Sequence, residues 1–277
     1  MNTADPTLAA RFFFRNCAVS LHLPGEMRIS RTLTPLPGDI VLDRDFIPAG
    51  SPSEFIGGQS DFYRFLDVTS TSNASLIKKL ASIGYLLCNK LPKHNPTRLR
   101  SFICVNEDKG AIGNGKSLFC DAIGQYCNTL ILDSCCPSDR FWLSNVTNQT
   151  NLIIVESINR RTNLELLFTL CTNDWIINRK RLEPKIIPFA STPHILLTSN
   201  MSIANVPRDG GFRRRFCVLY FSSFFSQTNT VRDFLGHDMF SDWDNSQWHM
   251  FDNFMFYCVL EYLRSYSRGE DIFSLYR

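Results

Sequence analysis

No apolar run in the 277-residue sequence approaches the roughly 18 residues a membrane-spanning helix needs, and no basic region followed by an apolar stretch opens the chain. A soluble, intracellular protein without a membrane partner is therefore expected. The ten cysteines contain no C-x-x-C pair, and their spacing to histidine offers no zinc site. They are scattered, and Cys104, Cys120, Cys171, Cys217 and Cys258 sit inside apolar runs. There a thiol behaves as a small hydrophobe, so reduced, buried cysteines are expected rather than a disulfide framework. Without a secretory signal, the glycosylation sequons at Asn73, Asn145 and Asn148 carry little meaning. Internal repeats and low-complexity tracts are also missing. Charge of either sign is not in excess: 29 Lys+Arg against 26 Asp+Glu give +3, which identifies no partner by itself.

What is present is packing material. The chain is 44% hydrophobic and carries 23 phenylalanines, enough for one large or two modest cores. Residues 1–70 are rich in turn sequences ("HLPGEM", "TPLPGDI", "IPAGSPSEF"), with short apolar stretches between them that predict small strands. Helical spacing of Leu76, Leu80, Ile83, Gly84 and Leu87 predicts a helix over 72–91, capped near Ser75 and stopped by Pro92. From Ser101 apolar strands alternate with helices: strands at 101–106, 129–132, 151–156 and 194–199, helices at 116–127 and 162–172, and a further apolar stretch at 213–221. That alternation predicts an α/β core with a mostly parallel sheet and helices on both faces. A long amphipathic helix is expected over 243–266, with Trp248, Phe251, Phe254, Met255, Cys258, Val259 and Tyr262 on one side. The expected divisions are a strand- and turn-rich region 1–70, a helical linker 71–98, the core 99–225 and a helical segment 226–277.

The chemistry is concentrated in that core. "GAIGNGKS" (110–117) fits G-x-x-x-x-G-K-[ST], the P-loop, and follows an apolar strand and precedes an amphipathic helix. Gly110, Gly113 and Gly115 let the backbone turn around phosphates, Lys116 reaches the β/γ-phosphates, and the Ser117 hydroxyl suits Mg²⁺. With Asn114 and Leu118 these residues form the expected ATP-binding set. "NLIIVES" delivers Glu156 at a strand end, where a metal carboxylate is needed. "PHILLTSN" ends in Asn200, a polar side chain suited to orienting water and sensing the γ-phosphate. "GGFRRRF" places three arginines on an expected short loop before a strand, either as a solvated patch or as an arginine finger for a neighbouring subunit.

The order P-loop, acidic strand, "INRKRLEPKIIPFASTPHILLTSN" and "FRRRF" resembles the superfamily 3 helicases. It is more similar to the helicase module of primase-helicases of phages, plasmids and large DNA viruses, in a Bacteroidetes-phage or mobile-element form. "FFFRNCAVSL", "SIGYLLCNKL", "RRRFCVLYFS" and the stretch "GHDMFSDWDNSQW" extend the resemblance over nearly the whole chain. It implies an AAA+-like P-loop ATPase using ATP and Mg²⁺, assembling as a homo-hexamer on single-stranded DNA in the bacterial cytoplasm. It also implies a hairpin after the acidic strand whose basic tip, here Arg179, Lys180 and Arg181, grips the DNA backbone; its finger falls on Arg214 or Arg215.

Two departures from that pattern stand out. The acidic strand of the family commonly ends in two carboxylates, whereas this chain has Glu156-Ser157, and serine cannot act as general base at neutral pH. Either Glu156 takes the base role, with Ser157 aiding metal or water, or turnover is slow. The latter keeps a second reading in play: a poorly hydrolysing, ATP-binding assembly or loader module. The length leads to the expectation of a helicase part alone, with any primase encoded separately or lost, and "DRD" (Asp43–Asp45) reads as a turn. A P-loop small-molecule kinase fits worst, because the Trp/Phe-rich C-terminal segment suits packing better than a basic lid.

Overall fold

The structure, a computed structural model, describes residues 5–56, 60–88, 90–91, 101–108, 113–133, 139–159, 162, 164–202 and 210–275. In chain order the elements are β1 (Leu8–Phe14), β2 (Ala18–His22), β3 (Glu26–Ser30), β4 (Ile40–Leu42), α1 (Asp61–Val68), α2 (Asn73–Leu87) and β5 (Ser101–Asn106). Next come α3 (Lys116–Gly124), β6 (Thr129–Asp133), β7 (Leu152–Ile158), α4 (Leu164–Leu170), β8 (Trp175–Arg179), β9 (Leu182–Ile187) and β10 (His194–Ser202). The chain closes with α5 (Gly210–Arg215), β11 (Phe216–Phe221), α6 (Val231–Leu235), α7 (Asn245–Ser267) and α8 (Ile272–Leu275). They form two compact units, one from the described residues of 1–91, 113–126 and 222–277, the other from those of 92–112 and 127–221.

The second unit is built on a five-stranded sheet of order β11-β5-β10-β7-β6, parallel at every pairing. Its interior strand β5 is a near-continuous apolar run because both faces are covered: all six of its residues are buried. Strand alternation puts Ile103, Val105, Ile153, Val155, Ile195 and Leu197 into one core cluster, joined by Leu167 of α4 and Phe212 of α5. Trp175 anchors the cluster, wholly enclosed, with its indole Nε1 donating to the Leu170 carbonyl at 2.8 Å. The chain is thus an α/β protein with an all-parallel sheet flanked by helices, as in P-loop NTPase cores. The segment 175–189 forms the antiparallel β8–β9 hairpin.

The first unit carries a four-stranded sheet, β3-β2-β1-β4, antiparallel except for the parallel β1–β4 pair. Helix α7 lies against α2, β2 and α1, and the apolar face expected of it is buried through Phe251, Phe254, Met255, Cys258 and Val259. Asp244 caps it in a reciprocal box with Gln247. The cap of α2 is Ser72, whose hydroxyl accepts from the Ser75 amide at 3.2 Å, three residues before the expected position. Within the "DRD" turn, Arg44 reaches Asp252 of α7 through Nε (3.0 Å) and Nη2 (2.6 Å). Tyr126 also donates to Asp252. Burial and the Asp252 charge push the Tyr126 hydroxyl well above its usual range, so it remains a donor. A buried carboxylate so fully paired fixes where the C-terminal helix docks.

The eight described cysteines are all buried. Burial pushes the Cys127 thiol up to about 12, where it is inert at neutral pH. Cys135 and Cys136 lie outside the described residues. Among the described residues no helix is long and apolar enough to cross a membrane.

Candidate functional site

In the P-loop, Gly110 lies outside the described residues; the described part begins at Gly113. Gly113 and Gly115 adopt φ of 86° and 84°, the left-handed region that only glycine enters without strain. At Gly115 a side chain is also excluded by space, since an added Cβ would lie 2.4 Å from Cε2 of Phe65. Gly115 is the N-cap of α3 and contributes no capping side chain, so the first turn of the helix relies on other acceptors. Lys116 is the first residue of that helix and is buried, with Nζ 3.5 Å from Asn114 Oδ1. Asn114 is itself buried and donates to the Ser222 carbonyl at 3.3 Å. Ser117 is exposed, and Leu118 half-exposed. Left-handed glycines, an uncapped helix start and a lysine at the first position are the parts a triphosphate needs. The donor set therefore fits a triphosphate, with the exposed Ser117 hydroxyl as an oxygen donor that would face its Mg²⁺. Among the described residues no cluster of three or more His, Cys, Asp or Glu side chains forms a metal site of its own.

In the second unit the polar residues gather at the carboxyl ends of the parallel strands, where open α/β sheets place their chemistry. Glu156 is exposed near the end of β7. Its register partner on β6 is Asp133, also exposed. Because Leu132 and Val155 point into the core cluster, Asp133 and Glu156 share the opposite face, on strands about 4.8 Å apart. Sequence reading passed over Asp133. Its signal was a second apolar strand, "TLILD", ending in a carboxylate just as "LIIVE" does.

Ser157, the residue where a second carboxylate is missing, has φ of 56°. It is the extra residue of a β-bulge against β10, and its amide donates to Thr198 Oγ1 at 3.1 Å. The bulge turns Ile158 back into the core, where it is 1% exposed, and leaves Glu156 and Ser157 both in solvent. Asn200 is exposed towards the end of β10, while its neighbour Ser199 is buried and donates to the Ile158 carbonyl at 2.7 Å. Ser199 braces the sheet, and Asn200 is left to face solvent.

The arginines do not lie on a loop. They form the last turn of α5, because Phe212 pulls the segment onto the core and stacks on Phe216 at 4.8 Å. Arg213 is exposed, and the side chain of Arg214 lies outside the described residues. Arg215 is tied down, with Nη1 donating to the Gly211 carbonyl at 3.1 Å and its guanidinium 5.1 Å from the Phe168 ring. At the β8–β9 hairpin, Arg179 folds back on the Glu183 carbonyl (Nη2, 2.9 Å) and braces the turn. Lys180 and Arg181 are exposed at its tip, Arg181 with φ of 59°. Phe141 stands near Lys180 (5.7 Å) and beneath Arg140 (4.5 Å), adding an aromatic and a further cation to the basic tip.

No family model matches the chain, and no curated protein does. Solved structures with a similar course include two of the apo A form of the NrS-1 C-terminal region. They are 14% and 13% identical, with TM-scores of 0.40 and 0.41, and cover 92% and 90% of this chain. A JCV helicase bound to an acetamide compound is 18% identical, with a TM-score of 0.36 over 74% of this chain. The chain spans 65%, 64% and 60% of those three structures, less than two thirds of each.

Proposed function

We propose that the chain is an ATP-driven helicase or translocase that acts as a ring on single-stranded DNA during replication of a phage or mobile element. The observation that carries this reading is the P-loop: "GAIGNGKS" joins the all-buried strand β5 to α3, with both described loop glycines left-handed and Lys116 opening the helix. Mg²⁺ would supply charge neutralisation at the phosphates. Lys116 binds the β/γ-phosphates, Glu156 and Asp133 present carboxylates for metal and water, and Asn200 orients the water. DNA as the partner is supported by the hairpin tip, where exposed Lys180 and Arg181 suit phosphate contacts that hold a strand without reading its sequence.

The test is ATP turnover with and without single-stranded DNA. DNA should stimulate turnover, and Lys116→Ala should reduce it by about a hundredfold or more. Lys180→Ala should weaken DNA binding and lower its salt dependence by roughly one phosphate contact. Turnover indifferent to both Lys116 and DNA would refute the motor. The serine at 157 supports the alternative, an ATP-binding loader or assembly module: binding without turnover, restored by Ser157→Asp, is its signature.

A further inference from the structure

We infer that Phe224 is the stacking platform for the nucleobase of the nucleoside triphosphate, which rests on the triphosphate site proposed above. The segment after β11 borders the P-loop within the first unit. Asn114 Nδ2 donates to the Ser222 carbonyl at 3.3 Å, and a Cβ on Gly113 would lie 3.6 Å from the Ser226 carbonyl carbon. This segment carries an aromatic cluster: Phe224 lies edge-on to Phe225 at 5.0 Å and to Phe234 at 5.4 Å, and Phe225 stacks on Phe65 at 5.9 Å. Phe65 is the ring that leaves Gly115 no room for a side chain. Loop and cluster are therefore continuous.

Of these rings Phe224 offers the most surface. Phe65 and Phe225 are 0% and 1% exposed, and Phe234 lies under the Arg64 guanidinium at 4.8 Å. Phe224 is 40% exposed. It is also held in place: its amide donates to Ser222 Oγ at 3.3 Å, and its carbonyl accepts from Asn229 Nδ2 at 2.6 Å. A partly exposed ring on a backbone held beside a phosphate loop is what a base needs once the phosphates and ribose have set its reach, and stacking accepts the π-face of any base.

The experiment compares binding of ATP and of inorganic tripolyphosphate to the full chain. Phe224→Ala should weaken ATP about tenfold and leave tripolyphosphate unchanged, and Phe224→Tyr should restore ATP binding to within about twofold. In Phe224→Trp, ATP should quench the new indole emission and tripolyphosphate should not. ATP affinity unaltered by Phe224→Ala overturns the platform, as does a parallel loss of both ligands. Quenching of Phe224→Trp by an oligothymidylate in the absence of nucleotide would assign the ring to the DNA strand and overturn it too. A wild-type chain that binds neither ATP nor tripolyphosphate refutes the triphosphate site itself, a different result from failure of the platform alone.

Discussion

Replacing a single carboxylate by its amide separates two ways of completing the site. Glu156 and Asp133 lie in register on adjacent strands, whereas Ser157 occupies a left-handed bulge and has no group that takes a proton at neutral pH. If Asp133 supplies the second carboxylate, Asp133→Asn keeps the shape but removes the charge and one acceptor oxygen. Steady-state kinetics should then show kcat reduced by roughly 10²-fold, with ATP affinity within about twofold of wild type. Unchanged kcat would leave Glu156 as sole base. Glu156→Gln should in addition raise the Mg²⁺ concentration needed for half-maximal turnover. The P-loop motif and the strand that carries Glu156 were legible in the sequence because each is a contiguous stretch. Asp133 was not, because its partner is 23 positions away and only strand register brings the two together.

At the level of elements, the closest approach of two helices is set by one glycine. A Cβ at Gly84 of α2 would lie 2.4 Å from the Cys258 carbonyl oxygen and 2.5 Å from Cβ of Tyr262, both on α7. Helix propensity alone favours Gly84→Ala by about 1 kcal/mol. Overpacking opposes it by about 1–3 kcal/mol, and the obstructing atom is backbone, which cannot rotate aside. Packing should win, so urea unfolding should show Gly84→Ala destabilised; a stabilised variant would mean that the helices separate at no cost. Both helices were readable from their 3.6-residue period, and Gly84 fell on the expected apolar face. That its lack of a side chain mattered could not be read without the partner helix. The arginines of α5 went the other way. "GGFRRR" opens on two glycines, poor helix formers, and local propensity suggested a loop; burial of Phe212 overrode it.

At the scale of the whole molecule, the parallel sheet was legible because each of its strands is a self-contained apolar run. The assembly of residues 1–91 with 222–277 was not, because it depends on pairs such as Arg44 and Asp252, 208 positions apart. Assembly of several copies poses the same problem between chains, and it can be tested by mass and by mixing. With a non-hydrolysable ATP analogue and single-stranded DNA, a particle near six times 31.8 kDa is expected, and a strict monomer would rule out a ring. If Arg214 or Arg215 serves a neighbour's triphosphate, Arg214→Ala or Arg215→Ala should be inactive alone, as Lys116→Ala is. Mixed with Lys116→Ala, the arginine variant should regain turnover, since some interfaces then pair an intact loop from one copy with an intact arginine from the next. Arg215 already contacts Gly211 and Phe168 within its own unit, so a purely structural role predicts no recovery on mixing. Recovery with the Arg214 variant alone would place the finger there and leave Arg215 to hold α5 against the core.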